Sequence, residues 1–213
     1  MKVIAVNGSP RRTWNTAQML KSALKGAESV GAETHFYNLI DLDYKGCIGC
    51  CACKRIGNRD FGKCNLKDGL TLLLEDIATC DALIVGSPLY VGDVTGMTRS
   101  FIERLVFQYI SYDKTPPYFE GHINSAFIFT MNCPEKYSDC QKYAYETNTN
   151  NLKVLGGTTE YIMANETWQW DDYSQFASSM FDVEAKRERH ETVWPQDLQR
   201  AFDLGKKLAE NAK

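Results

Sequence analysis

Short apolar runs alternate with helical periodicity along almost the whole chain, and this alternation constrains the fold more than any other feature. Residues 3–6 (VIAV) read as a buried strand that ends at Gly8-Ser9-Pro10. Ala17, Leu20, Leu24 and Ala27 then recur at helical spacing, with Lys21, Lys25 and Glu28 off that stripe. Residues 33–40 are β-branched and aromatic and predict a second strand. Residues 70–79 predict a short helix, 82–85 a third strand broken at Gly86-Ser87-Pro88, and 96–110 another helix. A fourth strand is expected over 125–131, a helix over 135–155 and a fifth strand over 159–164. Pro195 opens a last helix whose buried stripe is Leu198, Ala201, Phe202, Gly205, Leu208 and Ala209. Strands joined through helices pair in parallel, and the helices cover both faces of the sheet.

The 213 residues, 44% of them hydrophobic, suffice for one buried core, so a single domain over 1–213 is expected. Within it, 44–68 reads as an inserted Cys-rich loop and 165–195 as an irregular segment that suits a subunit interface. A net charge of -3 argues against sequence-independent nucleic-acid binding. No apolar run is long enough to predict a membrane span, and the chain opens on a strand pattern without a signal-peptide core. A cytoplasmic location is therefore expected. There the eight Cys read as thiols, metal ligands or redox groups and not as structural disulfides.

In a doubly wound sheet, ligands bind beyond the carboxyl ends of the strands. The first turn stands there, directly before a helix whose opening N–H groups lack intrahelical acceptors. Ser9, Thr13, Asn15 and Thr16 add side-chain donors, and Arg11 and Arg12 add charge, so the turn is expected to hold a phosphate. Neither G-x-G-x-x-G nor G-x-x-x-x-G-K-[ST] is present. The second Gly-Ser-Pro opens GSPLYVGDVTGMTRSFIER (86–104), a Gly-rich loop in which Tyr90 offers a flat stacking face. Both turns fall at the same edge of the sheet.

Cys47, Cys50 and Cys53 are spaced by two residues each, with Cys51 between them and Cys64 beyond. Three readings stay open: ligands of one cubane cluster, a zinc site, or reduced thiols beside a redox centre. Cys53 and Arg59 also have the C-x5-R spacing of phosphatase loops, but Asp60 stands where such a loop carries Ser or Thr. The three His are scattered, and the WQWDD run at 168–172 reads as packing or a subunit contact.

Taken together, NGSPRRTWNT (7–16), GCIGCCAC (46–53) with Cys64 and Asp68, the 86–104 stretch and the closing WPQDLQRAFDLGKKL resemble the flavodoxin-like NAD(P)H-dependent FMN reductases, closest to their iron–sulfur flavoprotein branch. The resemblance implies a three-layer sandwich around a five-stranded parallel sheet in the order 2-1-3-4-5. It implies FMN held by three loops: Ser9, Arg11, Asn15 and Thr16 at the phosphate, Pro88, Leu89, Tyr90 and Val91 along the ring, and Met131 and Asn132 at the third approach. NAD(P)H would be the co-substrate and a quinone, free flavin or other small molecule the acceptor. A homodimer or homotetramer is implied as well. A [4Fe-4S] cluster, if carried, would use Cys47, Cys50, Cys53 and Cys64; the ten residues between the last two and the extra Cys51 depart from that branch. An electron carrier exchanging electrons with a ferredoxin, and a redox sensor working through the Cys loop, are the alternatives.

Overall fold

In the computed structural model, residues 1–59, 61–112 and 118–212 are described. The central strand β1 (Lys2–Asn7) shows how the layers arise. Its side chains alternate between the two faces of the sheet. Ile4 and Val6 join one buried cluster, with Leu73, Phe101, Leu105, Phe127 and Tyr145 among others. Val3 and Ala5 join a second, with Met19, Leu20, Ala201 and Leu208. Because both sets are apolar, β1 reads as a continuous hydrophobic run, as a strand covered on both sides must.

Four further parallel strands complete the sheet: β2 (Glu33–Asn38), β3 (Ala82–Tyr90), β5 (Ile123–Thr130) and β6 (Gly156–Ala164). The order β2-β1-β3-β5-β6 reproduces the expected topology. A two-residue strand, β4 (Asp93–Val94), adds an antiparallel hairpin to β3 and brings the sheet to six strands. Helices α1 (Asn15–Glu28) and α6 (Trp194–Glu210) cover one face. Helices α2 (Thr71–Ile77), α3 (Gly96–Phe107) and α4 (Lys142–Asn151) cover the other. At Gly205 of α6 a Cβ would stand 1.8 Å from the Ala23 carbonyl oxygen, so α1 and α6 touch backbone to backbone.

Three expectations are corrected. The second Gly-Ser-Pro does not break its strand: β3 runs on, with Gly86, Ser87 and Pro88 in register with Ile128, Phe129 and Thr130. Pro88 stands beyond the last residue paired with β1, where its missing N–H costs least. The helix expected over 135–155 is instead a 3-10 segment (Glu135–Gln141), α4, and a second 3-10 turn (Leu152–Leu155). The irregular 165–195 segment contains a 3-10 turn (Tyr173–Gln175) and a helix, α5 (Val183–Thr192), and its first part lies against this chain's own α1 turn. No helix among the described residues is long and apolar enough to cross a membrane.

Candidate functional site

The carboxyl ends of β1, β3 and β5 meet at one edge. There the Gly8 N–H donates to the Gly86 carbonyl at 2.7 Å, and Thr95 Oγ1 donates to the Gly8 carbonyl at 2.7 Å. The turn after β1 is shaped by its own side chains. Asn7 Oδ1 accepts from the Ser9 N–H at 3.1 Å, and Ser9 Oγ accepts from the Arg11 N–H at 3.1 Å. The Ser9 hydroxyl proton is left to donate outward. In place of the Thr or Asn cap that a simple strand-to-helix turn would carry, Trp14 stands at the N-cap of α1 and makes no side-chain cap bond. An indole has no acceptor, so the first-turn N–H groups keep their capacity for an anion.

Beyond this turn lies a cleft of ≈ 600 Å³, counted to its open mouth. Ser9, Arg11, Asn15, Thr16, Pro88, Leu89, Tyr90, Met131 and Asn132 all line it, so nine of the ten residues named from the sequence come together. Val91 does not: at φ +53° in the β3–β4 hairpin it projects fully into solvent. Arg12 and Thr13 also stay outside, Arg12 being drawn to Asp41, with Nε 2.6 Å from Oδ1.

Four lining residues were not read from the sequence: Trp14, Thr130, Thr167 and Gln169. Thr130 Oγ1 shares a 2.7 Å hydrogen bond with Thr16 Oγ1 across the floor. Gln169 belongs to the WQWDD run, which reads from the sequence as packing or a subunit contact. Trp168 does pack, 4.7 Å from the Tyr173 ring, but its carbonyl accepts from Asn15 Nδ2 at 2.6 Å and Trp14 Nε1 at 3.0 Å. The next carbonyl, that of Gln169, accepts from the Arg11 guanidinium, which also lies 5.1 Å from the Trp14 ring centre. The segment after β6 therefore walls the turn that follows β1. The signal for it is positional: a loop leaving the last strand emerges at the same carboxyl edge.

No Asp or Glu lines the cleft, and Arg11 and the α1 N-terminus both favour negative charge there. Gln169, a lining residue, has its side-chain oxygen buried without a hydrogen-bond partner. The cleft thus offers hydrogen-bond donors at Ser9 and the start of α1, polar side chains at Gln169 and Thr167, and an apolar stretch at Pro88–Tyr90.

The Cys loop makes a separate cavity, ≈ 350 Å³ counted to its open mouth, lined by Cys47, Cys50, Cys51, Cys53 and Cys64 with Arg104. Arg104 is 2% exposed and all five of its N–H donors are engaged. Two go to Asp68, at 2.8 and 3.2 Å, and Nε goes to Cys64 Sγ at 2.9 Å. Burial pushes the Cys53 thiol up, while Cys47, Cys50 and Cys51 are exposed. Among the described residues no group of three or more His, Cys, Asp or Glu is placed to hold a metal ion. A cubane needs four convergent thiolates, so the loop as folded does not fit one. Asp60, which the C-x5-R reading turned on, lies outside the described residues.

A family described as NADPH-dependent FMN reductase matches residues 1–121. An iron-sulfur flavoprotein of Methanocaldococcus jannaschii is 36% identical over 104 residues, which cover 49% of this chain and 51% of that protein. The chain thus spans about half the length of the curated relatives it matches. Among solved structures, an NAD(P)H:quinone oxidoreductase from Methanothermobacter marburgensis superimposes with a TM-score of 0.66 at 15% identity, over 98% of this chain and 96% of that one. A flavodoxin from the domain Archaea does so with a TM-score of 0.54 at 16% identity, over 100% and 99%. At these identities the likeness is one of fold.

Proposed function

The chain belongs to the NADPH-dependent FMN reductase family, and from that premise we propose that its cleft holds FMN, taking hydride from NAD(P)H and passing electrons to a quinone, free flavin or other small acceptor. The observation that carries this reading is the gathering of nine expected residues around one carboxylate-free cleft at the edge where the two Gly-Ser-Pro segments join. FMN, when bound, supplies the hydride-accepting ring. The Ser9 hydroxyl and the first N–H groups of α1 bind its phosphate, with Arg11 holding the wall of that subsite. Pro88, Leu89 and Tyr90 orient the ring, and backbone donors of the β3–β4 hairpin stabilise charge that develops on it. No side-chain acid or base is required, which agrees with a cleft free of Asp, Glu and His.

Absorbance bands near about 370 and 450 nm in the purified chain, and consumption of NAD(P)H with a quinone or free flavin, are the expected results. A colourless chain that cannot be loaded with FMN overturns the reading. A second reading, an electron carrier that adds an iron–sulfur cluster and exchanges electrons with a ferredoxin, rests on the Cys47, Cys50 and Cys53 spacing and requires the 44–68 loop to rearrange, since as folded it does not converge four thiolates. Stoichiometric iron and a broad brown absorption would support it. We also propose a homodimer or homotetramer, with Phe176 and Met180, 46% and 84% exposed in the 165–195 segment, at the contact. Light scattering at micromolar concentration tests that.

A further inference from the structure

Helix α5 carries one buried residue, Lys186, 7% exposed. Its ammonium donates to Asn132 Oδ1, to the Glu166 carbonyl at 3.4 Å and to the Thr167 carbonyl at 3.5 Å. Those three acceptors match its three N–H donors. Glu166 holds a left-handed backbone, φ +50°, at the point where its carbonyl accepts, strain of a kind that collects at functional sites. The two loops that Lys186 ties together are also joined directly. The Thr167 N–H donates to the Met131 carbonyl at 3.0 Å and the Glu166 N–H to the Cys133 carbonyl at 3.2 Å. Both loops reach the cleft, through Met131, Asn132, Thr167 and Gln169.

All three acceptors of Lys186 are neutral oxygens. Burial pushes the ammonium below its usual range, Arg189 acts in the same direction, and the Glu166 carboxylate opposes them only through space. A buried cation without a paired anion is costly. The ammonium also lies 5.3 Å from the Phe181 ring centre, and it reaches the cleft at one remove, through Asn132 and Thr167, which line it.

We propose that Lys186 is the buried counter-charge of the cleft: a positioning residue that sets Asn132 and Thr167 in its wall and favours a ligand ring bearing negative charge over the same ring uncharged. The proposal rests on the FMN reading. Hydride transfer from a dihydronicotinamide to the oxidised ring leaves a nicotinamide cation and a ring with one more negative charge. Lys186 gives up no proton and stays charged throughout.

The test is anaerobic titration of the apo chain and its Lys186→Met and Lys186→Arg variants with FMN, both oxidised and dithionite-reduced, read by flavin fluorescence and absorbance. Removing the cation held behind Asn132 should show as a selective loss of about tenfold in affinity for the reduced form in K186M. Oxidised FMN should change by less than about threefold, and K186R should restore the preference. Equal loss for both forms makes Lys186 a structural tie alone and overturns the proposal. Should K186M fail to fold, Asn132→Ala carries the test. With the cation kept, affinity for both forms should fall together, and a loss confined to reduced FMN would overturn the assignment of the charge to Lys186. A wild-type chain that takes up FMN in neither form overturns the FMN reading and this proposal with it. Wild-type uptake with an unselective K186M overturns the proposal alone.

Discussion

The backbone N–H of Gly8 donates to the carbonyl of Gly86 at 2.7 Å, so the two Gly-Ser-Pro segments are hydrogen-bonded to each other at the mouth of the cleft. Contact this close leaves no room for a side chain. A Cβ at Gly8 would stand 1.8 Å from Thr98 Oγ1 and 2.9 Å from the Gly86 oxygen. Gly8→Ala must push α3 away or break the bond, at a cost of about 3 kcal/mol. Urea denaturation should show the loss in midpoint, and FMN uptake should fall with it, because the same displacement opens the phosphate turn.

Ser9 and Thr16 reach the cleft in different ways, and their variants should differ. Ser9 Oγ already accepts from Arg11, so its free proton is a donor for phosphate. Ser9→Ala removes one charge-assisted bond, about tenfold in FMN affinity, with little effect on riboflavin, which has no phosphate. Thr16 Oγ1 is shared with Thr130 Oγ1, so Thr16→Ala should also cost stability, about 1 kcal/mol. Isothermal titration with FMN and riboflavin, beside thermal melts, separates the two. Equal weakening of both ligands by Ser9→Ala would place the phosphate elsewhere.

What could be read from the chain and what could not divide along physical lines. Val3, Ile4, Ala5 and Val6 announce a central parallel strand because both faces of β1 are buried, and local apolarity is enough to see that. Ser9, Asn15, Thr16 and Tyr90 were legible because strand ends and helix starts are local events whose chemistry repeats. Gln169 and Thr167 were not. Their segment has no period, and hydrogen bonds across 153 residues from Asn15 to Trp168, and 36 from Met131 to Thr167, hold it in place. Val91 is a case of another kind. The sequence predicts a break at Gly86-Ser87-Pro88 and no hairpin, and in the β3–β4 hairpin a positive φ turns the Val91 side chain into solvent. Lys186 is a third kind: on a helix with charged neighbours it reads as a solvated lysine, and only the loops packed over α5 bury it.

The Cys loop should be sensitive to acid through Asp68. Burial opposes its charge, but the Arg104 guanidinium and the N–H groups of Leu70 and Lys45 outweigh that and hold its carboxyl below the usual range. A carboxyl depressed in the folded chain contributes stability in full above its unfolded pKa, about 3.9, and loses it as pH falls through the folded value. Wild type should therefore lose stability relative to Asp68→Asn as pH drops below about 4. At pH 7 the variant should be weaker by about 2 kcal/mol, since Arg104 is left buried with its charge unanswered. Denaturation curves of both proteins from pH 7 to 3 would show the gap closing on the acid side. A gap that stays constant would mean that Asp68 acts by shape and not by charge.

Gln169 offers the sharpest separation of stability from binding. Its side-chain oxygen is buried and unpartnered in the free chain, while its backbone is tied down by a 3.1 Å bond from its N–H to the Tyr173 hydroxyl and by the Arg11 guanidinium on its carbonyl. An unsatisfied buried acceptor costs about 1–3 kcal/mol. Gln169→Met keeps the length, removes the acceptor and leaves the backbone contacts in place. The free variant should therefore melt about 2–4 °C higher than wild type for each kcal/mol recovered. FMN raises the melting point of wild type by mass action in proportion to its affinity. If the Gln169 oxygen receives a hydrogen bond from the ligand, that rise shrinks in the variant, and the two melting curves cross as FMN is added. A residue that merely packs would lose stability on substitution and leave the FMN-induced shift unchanged, so the sign of the change in the free chain and the size of the shift decide the role of Gln169 together.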